Sequence, residues 1–411
     1  MSAAPRVRRG LAAVVLTLAA ALAGAPSALA APPPKLSARE AVLVDAASGQ
    51  MLYGYGARRE VATASATKLM TALLTLERIG NLQTVFVQNR YYSSPVDSQI
   101  GLRPGDRKTV HDLLLAMLLP SADDAAEDIA YNVGHGSVAQ FVGMMNQRAR
   151  QLGLTHTHYT TPIGLDTPGN YSSAADLATL ARYLLIREPF FTRAVALPAA
   201  SLSSGPVRRV TNRNSLVGRV PWINGIKTGH TLQAGYVLVG SGTQHGMTLI
   251  APVLGTPSEG ERDASTLALL QWGFANFHLL DPVRAGTVLA RPTVRDRSGA
   301  HAVVIAGGSF QRIFPRSSRV RTRVQVPREL AGPLPRHAVV GHVLVLEDGR
   351  TVARVPLVLG RALPAVSPLT LAAGFLTRPF TLVLLVLLLG GAGAAMSWRQ
   401  RTRAPAAGTR R

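Results

Sequence analysis

The chain has 411 residues, no cysteine, and 44 Lys and Arg against 22 Asp and Glu, a formal charge of +22. Without cysteine there is no disulfide framework, no thiol nucleophile and no cysteine-built metal site, and a chain this long can bury a core that needs no such staples. So basic a chain raises nucleic acid as a partner, but its first thirty residues argue against that.

Arg6, Arg8 and Arg9 open the chain, the apolar stretch 11–23 follows, and Ala28-Leu29-Ala30 supplies a small-x-small cleavage site. Residues 1–30 therefore read as a secretory signal peptide and the remainder as exported. A short strand is expected at 41–45, and Ser48-Gly49 turns it into Met51-Leu52-Tyr53. Ser65-Ala66-Thr67-Lys68 then precedes the apolar run Leu69, Met70, Leu73, Leu74 and Leu76, which predicts a buried helix whose first turn carries Ser65 and Lys68 on one face. Further helices are expected near 111–119, 122–132, 137–152 and 173–187, strands at 235–241 and 247–254, and a helix at 261–277. Strands at both ends with helices between them predict an α/β (α+β) domain over 31–281, one sheet closed by distant segments beside a helical subdomain.

Residues 282–362 differ in kind. Short β-rich runs at 302–305, 320–326, 338–346 and 352–359 are separated by Gly and Pro, and fourteen arginines face only Asp296, Glu329, Glu347 and Asp348. This is expected to be a small all-β domain suited to anionic lipid headgroups or wall polymers. A linker over 363–379 leads to 380–398, an uncharged Leu- and Val-rich stretch of transmembrane length. The basic tail 399–411, with Arg399, Arg401, Arg403, Arg410 and Arg411, is the cytoplasmic side, which leaves the domains outside the cell membrane on a single-pass anchor.

Ser65 and Lys68 carry the first chemical signal. A serine hydroxyl needs a base within hydrogen-bond reach, and a buried lysine forced neutral can be that base. Only four of the basic residues are lysines, Lys35, Lys68, Lys108 and Lys227. A guanidinium cannot give up its proton in a protein and an ammonium can, so lysine in an arginine-using chain points to a removable proton at Lys68. Two weaker signals follow. Ser121-Ala122-Asp123, after Pro120, reads by itself as a helix N-cap. Gly225-Ile226-Lys227-Thr228-Gly229-His230-Thr231 reads as a strand entering a turn, either an ordinary edge strand or one whose glycines let a ligand approach the backbone.

Taken in order, these three segments resemble the serine D-alanyl-D-alanine carboxypeptidases, the low-molecular-mass penicillin-binding proteins. Gly164-Leu165-Asp166, Tyr171-Ser172-Ser173, Asn212-Arg213-Asn214 and Gly235-Tyr236 support the likeness, which covers about 36–360. The resemblance implies a β-lactamase/transpeptidase-like sheet with a helical subdomain and removal of terminal D-Ala from peptidoglycan stem peptides during cell-wall biosynthesis and shape maintenance. It implies that Ser65 forms an acyl-enzyme, that Lys68 is the general base, and that Ser121 relays a proton. It places Lys227, Thr228 and Arg262 on the substrate carboxylate, Gly229 and Asp123 among the substrate-binding residues, and the backbone N–H groups of Ser65 and His230 in the oxyanion hole. β-Lactams are the expected covalent inhibitors, and no cofactor or metal is expected; His156 and His158 read as a surface turn.

The resemblance departs at Asp123, where the family usually has Asn. A carboxylate only accepts hydrogen bonds and would raise the pKa of Lys68, opposing its work as a base; pairing with Lys227 is the alternative. Competing readings are a D,D-endopeptidase acting on crosslinks and a catalytically weak penicillin- or wall-binding protein. A β-lactamase is disfavoured because the sequence offers no placed carboxylate base for deacylation.

Overall fold

The structure, a computed structural model, describes residues 31–401 except Ser93, Pro95, Asp296, Ser298 and 366–378. The expected signal peptide 1–30, most of the linker and the tail beyond Arg401 lie outside the described residues. The chain divides into two compact units. One runs to Leu279 and also takes in Arg312–Ser317; the other holds Leu280–Gln311 and everything from Ser318 onward.

The first unit begins with β1 (Glu40–Asp45) and β2 (Met51–Tyr55), and a 3-10 turn over Ala64–Thr67 then runs into α1 (Lys68–Arg78). After β3 (Val85–Val87) and β4 (Arg107–Thr109) come α2 (Val110–Leu118), α3 (Asp123–Val133), α4 (Val138–Gln151), α5 (Ala174–Arg187) and α6 (Pro189–Val195). The chain returns through β5 (Ala199–Leu202), β6 (Arg208–Thr211), β7 (Ile223–Thr231), β8 (Gly235–Gln244), β9 (Met247–Thr256) and α7 (Glu259–Asn276). The long helices and strands fall within two or three residues of the sequence expectations. The short pieces β3, β4, β5, β6 and α6 had no sequence signal.

Four helices start in the same way. Thr109, Ser137, Ser173 and Ser258 each accept a hydrogen bond from the backbone N–H three residues on, which satisfies one orphan donor of the first turn. Helices α1 and α3 have no such side-chain cap. Their starts are set by tertiary contacts, and both carry site residues.

The main sheet has the order β2-β1-β9-β8-β7, every pairing antiparallel. β1 pairs with β9 from the far end of the unit, so distant segments close the sheet as expected. Strand residues alternate between two buried layers. Val42, Val44, Val237, Val239 and Ile250 join the core of the helical side, and Ala41, Leu43, Leu238, Leu249 and Ala251 pack with Leu269, Leu270 and Phe274 of α7. Burial on both faces explains why these strands read as continuous apolar runs. Helix α1 is buried from Lys68 to Thr75, the central rod of the helical side. Strand β7 is the sheet edge.

In the second unit β11 (Val288–Ala290), β13 (Val304–Ala306), β15 (Val320–Gln325), β17 (Val339–Glu347) and β18 (Arg350–Leu359) form a sheet of order β11-β13-β18-β17-β15. Strands β12 (Thr293–Val294) and β16 (Glu329–Leu330) also belong to this unit, whereas β10 (Phe277–Val283) begins, and most of β14 (Phe310–Pro315) lies, in the first unit. β17 and β18 are joined by Asp348-Gly349 with φ of 49° and 84°, the positive pair a two-residue hairpin demands. Helix α8 (Pro379–Arg401) contains a segment long and apolar enough to cross a membrane, with a mean hydropathy of 2.1.

Candidate active site

Ser65 sits in the 3-10 turn ahead of α1, and Lys68 is the first residue of the helix itself. The pair is therefore not within one α-helical turn, as the spacing predicted. The turn is entered through Ala64, whose φ of 49° is uncommon for a residue with a side chain. Two glycines hold that entrance. A Cβ on Gly164 would stand 2.0 Å from the Ala64 carbonyl oxygen. One on Gly229 would stand 2.9 Å from both Ala64 Cβ and the Ser65 nitrogen. The edge strand β7 thus lies against the backbone of Ser65 because nothing projects from Gly229.

Lys68 Nζ donates to Ser65 Oγ at 2.9 Å, to Asp123 Oδ1 at 2.5 Å and to the Ile163 carbonyl at 2.7 Å. The side chain is wholly buried. Burial, the larger effect, pulls the ammonium below its ordinary pKa, and Asp123 pushes it back up.

Ser121 is not the N-cap its position suggested. That place belongs to Ala122, which caps nothing with its side chain. Pro120 cannot extend α2, and Ser121 turns into the left-handed region with φ 68°. Its Oγ is thereby presented to Lys227 Nζ, which donates to it at 2.9 Å and to the Thr228 carbonyl at 2.9 Å. Lys227 is buried on β7 and held well below its ordinary pKa, first by burial and then by the charges of Lys68 and Arg213.

Asp123 faces Lys68, and the alternative pairing with Lys227 does not form. Its second oxygen accepts from the Ser98 backbone N–H at 2.9 Å. Both carboxylate oxygens are thus engaged within the protein, a different environment from the substrate contact implied by resemblance. The carboxylate suits the site because Ser98 N–H and Lys68 Nζ both donate to it.

Ser65, Ser98, Ser121, Arg213, Thr228, Gly229, His230, Tyr236, Glu259 and Arg262 line one cavity of about 340 Å³. It opens over Ser65 with Ser121 beside it, while Lys68, Asp123 and Lys227 lie behind the wall. His230 is exposed and stacks on Tyr236, its cross-strand partner, with ring centroids 4.0 Å apart. Arg262 is buried, and Glu259 and Asp263 accept from its guanidinium at 2.8 and 2.9 Å. Among the described residues no acidic side chain pairs with Arg213. Two asparagines fix it: Asn212 Nδ2 donates to the Val195 and Leu197 carbonyls, and Asn214 Nδ2 donates to the Gly225 carbonyl. The Asn212-Arg213-Asn214 triplet stands out in the sequence, but without a role for Arg213. Its flanking amides, both suited to bonding backbone, are the signal that could have found it. Ser98 and Glu259 were likewise missed, for they sit in segments without a distinctive pattern, whereas Tyr236 stood out in the Gly235-Tyr236 pair without a role.

A buried lysine on a serine hydroxyl, a second lysine on a second serine, and a cationic cavity over both can acylate a serine with a substrate bearing a carboxylate. A family model described as D-alanyl-D-alanine carboxypeptidase matches residues 27–258. The D-alanyl-D-alanine carboxypeptidase DacD of Salmonella typhimurium is 31% identical, over 83% of this chain and 90% of that protein. DacA of Haemophilus influenzae is 30% identical, over 79% and 85% respectively. Among solved structures, penicillin binding protein 5 from Haemophilus influenzae aligns with a TM-score of 0.66 and 28% identity, covering 81% of this chain and 99% of that one. A DD-transpeptidase from Streptomyces aligns with a TM-score of 0.56 and 31% identity, over 60% of this chain and all of that one.

Proposed function

The chain belongs to the D-alanyl-D-alanine carboxypeptidase family of penicillin-binding proteins, and we propose that this serine hydrolase removes the terminal D-Ala of peptidoglycan stem peptides through an acyl-enzyme on Ser65. The observation that carries this reading is the 2.9 Å contact from Lys68 Nζ to Ser65 Oγ beneath the cavity. Lys68 takes the hydroxyl proton as Oγ attacks the scissile carbonyl, and Ser121, held by Lys227, relays a proton to the leaving amine. Backbone N–H groups of Ser65 and His230 receive the oxyanion, an interaction worth on the order of 3–4 kcal/mol in barrier. Thr228, Gly229 and the cations bind the substrate's terminal carboxylate. Arg213 is the better placed guanidinium for that contact, since the charge of Arg262 is offset by Glu259 and Asp263. Lys227 acts from behind Ser121, orienting its hydroxyl through the 2.9 Å hydrogen bond from Nζ.

We assign catalysis to 31–281 and a separate β-rich domain to 282–362. The apolar helix α8 supports a single-pass anchor with the catalytic unit on the extracytoplasmic side. Exposed arginines of β15 support contact with an anionic surface.

Mass spectrometry of the purified full-length protein after penicillin exposure tests the reading. One adduct on the Ser65 peptide is expected, absent in Ser65→Ala. Release of D-Ala from a linear pentapeptide, compared with cleavage of a crosslinked dimer, separates carboxypeptidase from endopeptidase. A folded wild-type protein that takes up no label at Ser65 would leave only the wall-binding alternative.

A further inference from the structure

We propose that Lys68 and Asp123 form a proton-sharing couple, in which the proton Lys68 sheds before acting as a base moves to Asp123 Oδ1 rather than to water. The inference rests on Lys68 being the base for Ser65, and it concerns where that base sends its own proton.

An ammonium has three N–H donors, and Lys68 Nζ has three acceptors: Ser65 Oγ, Asp123 Oδ1 and the Ile163 carbonyl. All three bonds are filled, so no lone pair on Nζ is free until one proton leaves. A hydroxyl and an amide carbonyl are far too weakly basic to take it at neutral pH. Asp123 is the one acceptor that can, and its contact is the shortest of the three. Lys68 has no direct contact with solvent as an alternative acceptor, for its side chain is 0% exposed. Two opposite charges in a site this dry each carry a desolvation penalty, and the transfer removes both at once. Other charged groups act in both directions: Arg213 lowers the pKa of Lys68 and Asp97 raises it. Lys227 on β7 and Arg213 bear on the lysines from the cavity side, whereas Asp97, and Glu127 one turn along α3, bear on the couple from behind, near Tyr91.

In the step, the Nζ–H bond breaks with its electron pair left on nitrogen, and the proton bonds to Oδ1. Ammonium and carboxylate become amine and carboxylic acid, with no net change of charge. The amine turns about its Cε–Nζ bond so that this pair faces Ser65, whose hydroxyl proton then bonds to Nζ as Oγ adds to the substrate carbonyl carbon, whose π pair moves to oxygen. When Nζ later gives that proton up toward the leaving amine, the couple holds the same number of protons as before.

This makes the active form the couple that carries a single shared proton. It persists down to the pH at which a second proton enters, in the range where carboxylates titrate, and the limb belongs to the pair as a whole. A fixed carboxylate that never accepts the proton gives the reverse. The active form would then need the couple stripped of its last proton, and its acid limb would lie above that of the same lysine without the carboxylate, because the anion raises the ammonium's pKa. Asp123→Asn separates the two. With Asn, Lys68 must lose its proton outright, and its limb falls between those extremes.

The experiment measures second-order acylation by a fluorescent penicillin from pH 4 to 10 on the full-length protein. Expected are a wild-type acid limb below about pH 6 and, in Asp123→Asn, a limb moved upward by about one pH unit or more. A wild-type limb at or above that pH overturns the couple, and so does an Asn limb that is unmoved or lower. Titration of Lys227 cannot mimic the expected shift, because removing an anion lowers a neighbouring lysine's pKa. If that variant fails to fold, Asp123→Ser, which likewise removes the carboxylate, carries the same comparison of limbs. Absence of label on Ser65 at every pH would instead sink the hydrolase reading itself.

Discussion

Gly229 is where the backbone of β7 comes closest to Ser65, and the approach leaves no room for a methyl group. An added Cβ would meet Ala64 Cβ and the Ser65 nitrogen at 2.9 Å, with backbone and a short side chain on the other side that cannot swing away. The strand edge or the nucleophile turn must shift by several tenths of an ångström. Small displacements of reacting groups are costly; a misplacement near 1 Å costs about 100-fold in rate. Gly229→Ala is therefore expected to slow acylation by roughly 10- to 100-fold while the thermal transition stays cooperative. Stopped-flow with fluorescent penicillin checks it, and a wild-type rate would show that the close approach is unimportant. At this scale the sequence was informative where chemistry is carried by type and spacing, as at Ser65, Lys68 and Lys227. It was uninformative where a residue's meaning depends on backbone conformation or a distant partner. Nothing local to Ser121 announces a φ of 68°, and nothing local to Asp123 chooses Lys68 over Lys227.

Helix α3 concentrates four acids, Asp123, Asp124, Glu127 and Asp128, in two turns. Acids in the first turn suit the helix dipole, and Asp124 accepts from the Ile100 and Leu102 backbone N–H groups, holding the loop that rims the cavity. Glu127 and Asp128 gain less. Burial first, and then for Glu127 the charge of Asp123, pushes the Glu127 carboxyl up to about 7 from an ordinary 4.5, and burial likewise pushes Asp128 up to about 7. A carboxyl that stays protonated in the fold but ionises when unfolded binds more protons folded. Stability therefore falls as pH rises from about 4.5 to about 7. Glu127→Gln removes one of the two contributions. It is expected to raise the melting temperature at pH 8 by roughly 2–4 °C and leave that at pH 4 unchanged. Parallel pH–melting curves for wild type and variant would remove the assignment. The existence of α3 was legible in the sequence, expected over 122–132, and its start within a residue. What escaped was the device that begins it: four other helices open on a Ser or Thr cap, whereas α1 and α3 begin from strained turns held by contacts far along the chain. Short strands such as β3 and β4 escaped for a related reason, since three residues are too few to show a period.

At the scale of the whole molecule, the two-unit organisation follows the change in composition near residue 281, but Arg312–Ser317 return to the first unit. There Ile313 is fully buried with Leu43, Leu269 and Phe274, and Arg312 Nε donates to Gln50 Oε1 at 2.8 Å. A composition shift along the chain cannot register so short a return. The second unit keeps most of the excess positive charge, and part of it is ordered. Arg321 and Arg323 alternate along the edge strand β15, and with Arg319, Leu346, Asp348 and Gly349 they line a cavity of about 440 Å³. No acidic side chain among the described residues pairs with these three arginines. Each basic residue near an anionic bilayer contributes about 1 kcal/mol, falling off within a Debye length. Three together correspond to about 100-fold in affinity. A chain ending at residue 365 is expected to bind phosphatidylglycerol vesicles in low salt and to release in high salt, with no binding to phosphatidylcholine. Replacing Arg319, Arg321 and Arg323 with Ser should weaken that binding by about 100-fold without lowering acylation of Ser65. Equal binding by the truncated variant would mean that these three arginines are a solvated decoration of the sheet and that another surface of the truncated chain meets the vesicle.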